Sequence, residues 1–413
     1  MGKWVKGTVE TACEILDNKR IPLSGKVREG MKGSIPYYGA NGLVGFVDKY
    51  IFDDDLILIA EDGGNFEQYE QRPVAYKISG KSWVNNHAHI LKSLVDFSQD
   101  YIFYCLEHVN VLNYVVGGTR SKLNQRELRR IEIYYPENHV EQEKIAEILS
   151  IVDVAIEKTK ALIEKYKNIK EGLLTDLMTN GIDKNGNIRS PETHKYKDSP
   201  LGMIPVEWAC VSLDNFVNDA NGIVAGPFGS DLKVSDYCDE GIPLIRLQNV
   251  GSDVFINKDI IYISKGKANQ LKRHSFLSGD IILAKLGIPI GKTALVPEDF
   301  PMGIVVADVV RIRQNDKVFN KYYLMFILNT DICRRQLNSE RIGTTRPRVN
   351  ISQLKKIWIK RPPKKEQDLI GERISSIQGN ILQEEKHMRK LESIKKGLMQ
   401  DLLTHKVSVD CLL

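Results

Sequence analysis

A long segment of this 413-residue chain is present twice, and this internal repeat restricts the possible folds more than any other feature. Residues 141–182 align without a gap with residues 366–407, 225 positions later, and 14 of the 42 aligned residues are identical. A repeat of this length indicates that the chain consists of two related halves in tandem. We therefore expect both the fold and the function to come in two halves.

Both copies of the repeat have the apolar pattern of a long helix. Apolar residues recur at alternating intervals of four and three for about five heptads, which is typical of a coiled-coil seam. At about 1.5 Å per residue, each helix would be roughly 60 Å long. Neither helix can bury this stripe alone, so we predict that the two pack together, antiparallel if a two-fold axis relates the halves. The predicted seam residues are Ile145, Leu149, Val152, Ile156, Ile163, Leu173, Leu177, Ile370, Ile374, Ile377, Ile381, Met388, Leu398 and Leu402.

Polar residues interrupt the seam at the same two places in both copies: Thr159 with Glu384, and Lys170 with Lys395. In an antiparallel pair, Thr159 would face Glu384 near the axis, where a polar pair can set the register of two helices at some cost in stability. The alternative is that these side chains simply reach solvent. The pattern favours neither interpretation.

The repeat extends upstream of the helices. A Gly-x-Thr-Arg segment at 117–120, followed by a short strand and a proline, recurs at 343–346. Further upstream, residues 35–37 resemble residues 242–244, but the globular regions otherwise diverge strongly in sequence. A common scaffold with unlike globular regions is expected if the two halves recognise different things.

The globular regions contain short β-rich runs and helical patterns. Residues 55–60 and 279–285 are compact apolar runs bounded by turn residues, which predicts strands. Residues 97–110 and 320–337 have helical patterns, and the polar stretch 180–200 predicts a linker between the halves.

The sequence therefore predicts an α+β fold. Two mixed α/β, β-rich globular domains are separated by two long antiparallel helices that form a coiled coil, in a pseudo-two-fold tandem repeat. The predicted segments are a first globular domain at 1–135, a first long helix at 136–182, a second globular domain at 183–360 and a second long helix at 361–413.

The sequence contains no motif for catalysis. A P-loop, a nucleophile elbow, an HExxH helix and a convincing dinucleotide-binding fingerprint are all missing from it. The six cysteines lack metal-ligand spacing, and no apolar run approaches the ~18 residues of a membrane span. We expect a non-enzymatic, cytoplasmic protein that binds no metal. Residues 61–65 could form a metal or phosphate loop, and His87 with His89 a metal pair, although a simple turn and a surface or DNA-facing strand are favoured.

The charge distribution suggests a polyanionic partner. The chain carries a net charge of +5, and residues 183–360 contain 25 Lys and Arg against 19 Asp and Glu. A basic excess concentrated in one segment fits nucleic-acid binding. The alternative is an ordinary solvated surface, which is common for a basic excess of this size.

The repeated Gly-Thr-Arg loops predict contacts to nucleic acid. Arg120 and Lys122 are spaced two apart, as are Arg346 and Arg348, so in an extended loop both could face the same way. Arginine can clamp a phosphate or read guanine through its bidentate fork. An ordinary basic loop is the alternative, which the presence of the segment in both halves weakens. The candidate DNA-contacting residues are Asn41, Asn65, Asn85, His87, Arg120, Lys122, Asn124, Phe228, Ser230, Arg246, Gln248, Lys285, Lys292, Thr345, Arg346 and Arg348.

Local motifs then add a family resemblance. Residues 199–208, Ser-Pro-Leu-Gly-Met-Ile-Pro-Val-Glu-Trp, and the segments 38–42 and 84–89 are similar to parts of target-recognition domains. Together with the order of domains and helices, they make the whole chain resemble the DNA-specificity (S) subunit of Type I restriction-modification enzymes. One departure is that the first domain begins abruptly at Trp4, without the Gly-x-Ile-Pro-x-x-Trp lead that precedes the second.

The resemblance implies a non-catalytic DNA reader. Residues 1–135 and 183–360 would be target-recognition domains for the two halves of an asymmetric, bipartite DNA site, held apart by the helices as spacers. Two methyltransferase (M) subunits would bring S-adenosylmethionine and methylate adenine, and two restriction (R) motor-nuclease subunits would use ATP and Mg²⁺. The chain itself would carry no cofactor. The alternative is a coiled-coil adaptor that organises protein partners without reading bases, and the balanced charge of residues 1–135 favours it.

Overall fold

Residues from both ends of the chain fold together. In the computed structural model, unit 1 consists of residues 1–162 and 384–413, and unit 2 consists of residues 163–383. Each long helix is divided near its middle, so either unit contains half of the first helix and half of the second. The structure describes residues 3–117, 121–217, 221–339, 347–409 and 412.

The globular part of unit 1 is rich in short strands. Its described strands are β1 (Trp4–Thr8), β2 (Cys13–Ile15), β3 (Ile35–Gly39), β4 (Gly42–Val47), β5 (Phe52–Asp53), β6 (Leu56–Ala60), β7 (Ala75–Ile78), β8 (Lys81–Val84), β9 (Ala88–Ser93) and β10 (Glu132–Pro136). Its short helices are α1 (Val9–Ala12), α2 (Gly25–Gly30), α3 (Gln99–Glu107) and α4 (Gln125–Arg129), and the long helix α5 (His139–Thr179) follows. The strands form sheets of order β2-β9-β6-β7 and β4-β3-β8-β5 and a β1-β10 pair. Every residue of β6 is apolar and buried, as expected for a strand covered on both faces.

The globular part of unit 2 is built in the same way. Its described strands are β11 (Tyr196–Lys197), β12 (Ile204–Pro205), β13 (Ala209–Ser212), β14 (Ile223–Ala225), β15 (Tyr237–Cys238), β16 (Ile242–Ile245), β17 (Ile261–Ile263), β18 (Ser275–Phe276), β19 (Ile281–Ala284), β20 (Thr293–Leu295), β21 (Gly303–Val305), β22 (Val309–Ile312) and β23 (Trp358–Arg361). Its helices are α6 (Lys265–Gln270), α7 (Lys321–Leu328), α8 (Asp331–Ser339) and α9 (Ile351–Lys356), followed by the long helix α10 (Lys364–Leu403). The main sheets have the orders β14-β22-β19-β20 and β15-β17-β16-β21-β18.

The two globular parts share one topology although their sequences diverge. Strand β6 lies between β9 and β7, as β19 lies between β22 and β20. Strands β3 and β8 are parallel, as are β16 and β21. Tyr37 pairs with Trp83 and Leu244 pairs with Ile304, so the sequence match of residues 35–37 with 242–244 is confirmed.

One local prediction is confirmed in outline and another was wrong. The helical pattern at 320–337 forms two helices, α7 and α8; Asn329 caps the end of α7, and its side-chain amide donates to Asp253 (2.6 Å) and to the Thr293 carbonyl (2.7 Å). The predicted linker at 180–200 is partly buried in unit 2, with Arg189 enclosed among protein groups. At the predicted linker the tertiary contacts prevail over local sequence preference.

The repeat forms the two long helices, and the predicted antiparallel packing is confirmed within each unit. In unit 1 the beginning of α5 lies beside the end of α10; in unit 2 the end of α5 lies beside the beginning of α10. The ends of the seam also belong to the domain cores, which the sequence pattern did not indicate. Ile145, Leu149 and Leu402 are in the core of unit 1, and Leu177, Ile370 and Ile374 are in the core of unit 2.

Lys395, one of the polar interruptions of the seam, joins three elements of unit 1. Its Nζ lies 2.7 Å from an Asp153 oxygen on α5 and 2.7 Å from a Glu107 oxygen at the end of α3. The same ammonium lies 5.5 Å from the centroid of the Tyr104 ring, a cation–π distance. The lysine therefore connects α10 both to the other long helix and to the globular part.

Lys170 is the repeat counterpart of Lys395 and does the same in unit 2. Its Nζ donates to Gln378 on α10 at 2.5 Å, pairs with Asp253 at 2.6 Å, and lies 5.6 Å from the Phe326 ring centroid. Gln378 is the counterpart of Asp153, so the two contacts between the helices are equivalent. At these two seam positions a lysine takes the place of an apolar residue. Its contact with the other helix defines the register of the two helices.

The pair between Thr159 and Glu384, one of the two interpretations of this seam position, is not found. The Thr159 hydroxyl instead donates to the Ala155 carbonyl of its own helix at 2.8 Å, and between the two described side chains no hydrogen bond forms. Thr159 does not reach solvent either, because its side chain is buried. A hydroxyl can satisfy itself on the preceding turn of its helix, so the position needs no partner.

A second repeated contact lies at the start of each long helix. Glu141 and Glu366 are equivalent buried carboxylates, which accept the indole N–H of Trp4 and Trp208, both at 3.1 Å. Trp4 therefore occupies the place of Trp208, although the sequence before it differs. Glu366 also binds Arg189 at 2.5 Å within unit 2. Carboxylates in the first turn of a helix are further stabilised by its dipole.

We expect Lys395→Met to destabilise the protein by about 2–3 kcal/mol, because Glu107 and Asp153 would keep their partly buried charges without a cation. Urea unfolding followed by circular dichroism measures this change as a lower midpoint at a similar slope. The matched control is Lys396→Met: the adjacent lysine is 73% exposed and should contribute less than about 0.5 kcal/mol. Equal effects of the two substitutions would contradict the role of Lys395.

Candidate nucleic-acid interface

Three loops of unit 1 meet where β3, β6 and β8 end. The Asn41 amide, after β3, donates to the Gly63 carbonyl after β6 at 2.8 Å. Asp62, also after β6, accepts a hydrogen bond of 2.8 Å from Nδ1 of His87, which lies between β8 and β9. Strand pairing explains the meeting, because β3 and β8 run parallel and the end of β6 lies beside the start of β9.

The same loops line two adjoining clefts. A cleft of about 730 Å³ is bordered by residues 62–68, His87, Ser121 and Lys122. A second cleft of about 440 Å³ is bordered by residues 39–44, Asp62, Gly63, Asn85 and His87. Asp62, Gly63 and His87 border both clefts. Open polar clefts with amide, imidazole and ammonium groups offer the donors and acceptors that base edges and phosphates require.

A network of charged side chains, several of them buried, holds these loops in place. His89 is buried, and its ring nitrogens lie 2.6 Å from an Asp17 oxygen and 2.7 Å from the Leu123 carbonyl oxygen. Each ring nitrogen of His89 therefore faces an oxygen that can accept a hydrogen bond. Glu61 pairs with Arg20 at 2.6 Å and with Lys122 at 2.9 Å. The network thus fixes the segment that carries Lys122.

The carboxylates of this network are ionised. Burial opposes the ionisation of Asp17, but the hydrogen bond and charge of His89 outweigh it and lower its pKa. Burial acts in the same way on Glu61, whose pKa is nevertheless lowered by its hydrogen bonds from Lys122 and Arg20. Ligand atoms of Asp17, Glu61 and His89 lie within 4.8 Å of one another, a spacing that could hold a cation. Their hydrogen bonds to neighbouring protein groups already use these atoms.

Unit 2 has the corresponding loops at the corresponding edge. The Val349 amide donates to the Lys285 carbonyl at 3.0 Å, as the Leu123 amide donates to that of Glu61 at 2.8 Å. Arg348 pairs with Leu286 as Lys122 pairs with Asp62. Lys285 thus occupies the place of Glu61, so this position changes its charge between the units.

Lys285 is partly buried and has one acidic and one basic neighbour. Burial lowers its pKa; the nearby carboxylate of Asp308 opposes this, and Arg348 lowers the pKa further. Arg246 lies at the same edge, because it directly follows β16, and its guanidinium donates to the Asp259 carbonyl at 2.5 Å. Lys292 precedes β20 beside the end of β19. An edge with these cations can attract phosphates.

The structure brings together many of the predicted DNA-contacting residues. In unit 1, Asn41, Asn65, Asn85, His87 and Lys122 border the clefts, although the Asn85 side chain is buried and accepts the His87 amide. In unit 2 the edge carries Phe228, Arg246, Lys285, Lys292 and Arg348, with Gln248 exposed just after Arg246.

The remaining candidates have other surroundings or lie outside the description. Asn124 caps helix α4 by accepting the Glu127 amide at 3.1 Å, and the Ser230 hydroxyl donates to Asp231 at 3.2 Å. Arg120, Thr345 and Arg346 lie outside the described residues. Sequence reasoning included Asp62, the partner of His87, only in a possible metal or phosphate loop at 61–65, and it missed the exposed Ile288. An acidic turn directly after a buried strand was the available signal for Asp62.

Comparison with known proteins places the chain in a family. The sequence model of the family described as "Type I restriction modification DNA specificity domain" matches residues 1–167 and 235–393. The chain belongs to this family. It is a DNA-specificity subunit of a type I restriction-modification system and is non-catalytic within that complex. The S-subunit family carries no cofactor of its own.

Individual relatives agree with this assignment. The chain is 26% identical over 404 residues to the Type I restriction enzyme MjaVIII specificity subunit of Methanocaldococcus jannaschii, covering 93% of this chain and 88% of that protein. It is 25% identical over 375 residues to a putative type I specificity subunit of Haemophilus influenzae, covering 88% and 84%. The crystal structure of an S subunit from M. genitalium superposes with a TM-score of 0.67 at 15% identity, covering 97% and 96%, and shares the fold.

None of the described helices is both long and apolar enough to cross a bilayer. The long helices α5 and α10 carry charged residues throughout their length.

We expect Asp17→Asn to lower stability at pH 7 by about 3 kcal/mol, because it removes a buried carboxylate that bonds to the His89 ring and accepts the Ile90 amide. The lowered pKa of Asp17 means that its stabilising contribution is present above the ordinary value of 3.8 and is lost as the pH falls from about 5 through the folded-state pKa. Urea unfolding at several pH values should therefore show a weaker acid dependence in the variant.

The control for this substitution is Asp96→Asn, at an exposed position of the same unit. Its unfolding free energy should stay within about 0.5 kcal/mol of the wild type at every pH. An Asp17→Asn variant with unchanged stability and unchanged acid dependence would contradict the charged network.

Proposed function

We propose that each unit reads one half of an asymmetric, bipartite DNA site with the loops at its sheet edge. The proposal rests on one observation. The two units have the same topology, but they carry different side chains at the equivalent edge. The same strands end at the same edge in both units, yet Glu61 is replaced by Lys285 and Asp62 by Leu286. Two readers with a common scaffold and different contact groups are suited to two different half-sites.

Contacts of two kinds are expected at each edge. Lys122 in unit 1, and Lys285, Lys292 and Arg348 in unit 2, would bind phosphates and position the duplex. Asn41 and His87 in unit 1, and Arg246 and Gln248 in unit 2, offer hydrogen bonds to base edges. Arg120 and Arg346 belong to the same loops by sequence and are proposed as further phosphate contacts.

The reader would direct the chemistry of partner subunits in the cytoplasm. We assign adenine methylation to two methyltransferase subunits carrying S-adenosylmethionine, and cleavage to two motor-nuclease subunits using ATP and Mg²⁺. Methylation of a duplex requires that the adenine leave the base stack, so firm binding on both sides of the target is needed. The two long helices would serve as the spacer between the half-sites.

The methylated motif tests the bipartite proposal. The chain should be co-expressed with its methyltransferase partner in a host without other adenine methylation, and modified bases should be mapped by sequencing. We expect one split motif with two unlike specific parts and a non-specific gap of constant length. A single continuous motif would contradict the assignment of one half-site to each unit.

The salt dependence of binding tests the edge of unit 2. Arg348→Ala should weaken binding to a random-sequence duplex and reduce the slope of log affinity against log salt by about one phosphate contact. The control is Lys365→Ala, which removes an exposed lysine at the start of α10 and should leave the slope unchanged. If neither the wild type nor the variants show a steep slope, the adaptor alternative, a scaffold without base recognition, would be favoured.

A further inference from the structure

Two large apolar side chains project from the edge of unit 2. Ile288 is 83% exposed and Phe228 is 80% exposed, the highest values among the large apolar side chains of the described part of this unit. Burying a side chain of this size is ordinarily worth about 1.5–3 kcal/mol, and neither residue gains this within the chain. Single exposed apolar residues are common, so exposure alone does not indicate a functional role. The evidence for such a role has to come from the position of the two residues in the fold.

Both residues lie at the edge that carries the basic side chains. Phe228 follows β14 and Ile288 follows β19, and both strands are antiparallel to β22 between them. The ends of β14 and β19 therefore point the same way. The ends of β14 and β19 are two strand intervals apart, about 10 Å, which corresponds to about three base-pair steps of 3.4 Å.

The backbone holds the Ile288 loop at several points. The Lys285 amide donates to the Asp308 carbonyl at 3.0 Å, the Gly287 amide to the Pro347 carbonyl at 3.3 Å, and the Gly291 amide to the Ala284 carbonyl at 2.9 Å. Ile290, two residues after the tip, is buried in the core of unit 2. An exposed tip on an anchored loop loses little conformational entropy when it is covered by a partner.

Phe228 is held in a similar way. It follows the buried Pro227, and the Gly226 amide donates to the Val309 carbonyl at 3.1 Å. The Phe228 carbonyl accepts the Asp231 amide at 2.9 Å, which closes a turn with the phenyl ring outside. The ring is thus presented outward rather than folded back onto the sheet.

The surrounding charges select the partner. Lys285 directly precedes this loop, and Arg348 pairs with Leu286 two residues before the tip. Apolar tips beside cations match a partner that has phosphates outside and stacked apolar faces inside. In unit 1 the corresponding loop has Asp62, Gly63 and Gly64 after β6, and offers hydrogen bonds instead.

We propose that Ile288, with Phe228, is a wedge that enters between stacked base pairs of the DNA held by unit 2 and bends the duplex. The inference rests on the proposed DNA-reading function and adds a mode of recognition to it. Side chains such as Ile and Phe unstack base steps in other DNA-bending proteins, at a cost of a few kcal/mol per step. That cost is lowest at flexible pyrimidine–purine steps, so the wedge would select sequence without hydrogen bonds to bases.

The experiment uses the full-length chain, with its methyltransferase partner, and a duplex containing the motif obtained by modified-base sequencing. The fluorescent base 2-aminopurine is placed at single positions in the half-site of unit 2, and dyes at the duplex ends report bending by energy transfer. We compare the wild type with Ile288→Ser, Phe228→Ser and Ile288→Leu. The control is Met302→Ser, which changes a 49%-exposed apolar residue at the opposite end of β21.

Insertion predicts that wild-type binding brightens 2-aminopurine at one or two steps of the half-site and shortens the end-to-end distance. Ile288→Ser should lose this brightening, leave the duplex straighter and bind about tenfold more weakly, whereas Ile288→Leu and Met302→Ser should resemble the wild type. Circular dichroism should confirm that each variant is folded. Wild-type bending and brightening in both serine variants would overturn the wedge alone. Failure of the wild type to bind any duplex would instead overturn the DNA-reading function.

Discussion

Lys395 in unit 1 and Lys170 in unit 2 are equivalent lysines. The contacts of these two side chains are the interactions on which the other features of the fold depend. Each long helix has to pack against the other helix and also form part of a domain core, and an apolar seam alone does not determine register. An ammonium held by two partners within 3 Å, on two different elements, satisfies both requirements at once. A partly buried cation is stable only when its partners are correctly placed, so a shifted register would leave charges unpaired.

This arrangement leaves the loops that follow the strands of each globular domain free to vary. The strand order is the same in both units, and the loops that follow equivalent strands differ in charge and polarity. Lys122 and Arg348 retain a basic residue at one equivalent place, whereas Glu61 and Lys285 have opposite charges. A conserved framework with one basic anchor and exchangeable neighbours is consistent with a specificity subunit, in which only the contacts to DNA should differ.

Part of the candidate site could be predicted from the sequence. Lys122 and Arg348 were found because the segment around them is repeated, and His87 because its motif resembled a recognition domain. Asn124 was found by the same repeat but caps a helix, since an asparagine before a helix has a competing local role. Ile288 was missed, and Asp62 was assigned only to a possible metal or phosphate loop. Their importance follows from neighbours that are distant in sequence, such as His87 for Asp62 and Pro347 for the Ile288 loop.

The sequence by itself determined the two-half architecture, the two long helices and their antiparallel pairing, because heptad spacing and a gapless repeat are local patterns with a direct structural meaning. It also marked the repeated lysines, although their role as ion pairs was not evident. Only the tertiary structure decided which loops share an edge and which buried groups support them. Strand pairing joins residues that are tens of positions apart, and no local pattern encodes that order. The ends of the helical seam belong to the domain cores for the same reason: their partners come from strands and helices elsewhere in the chain.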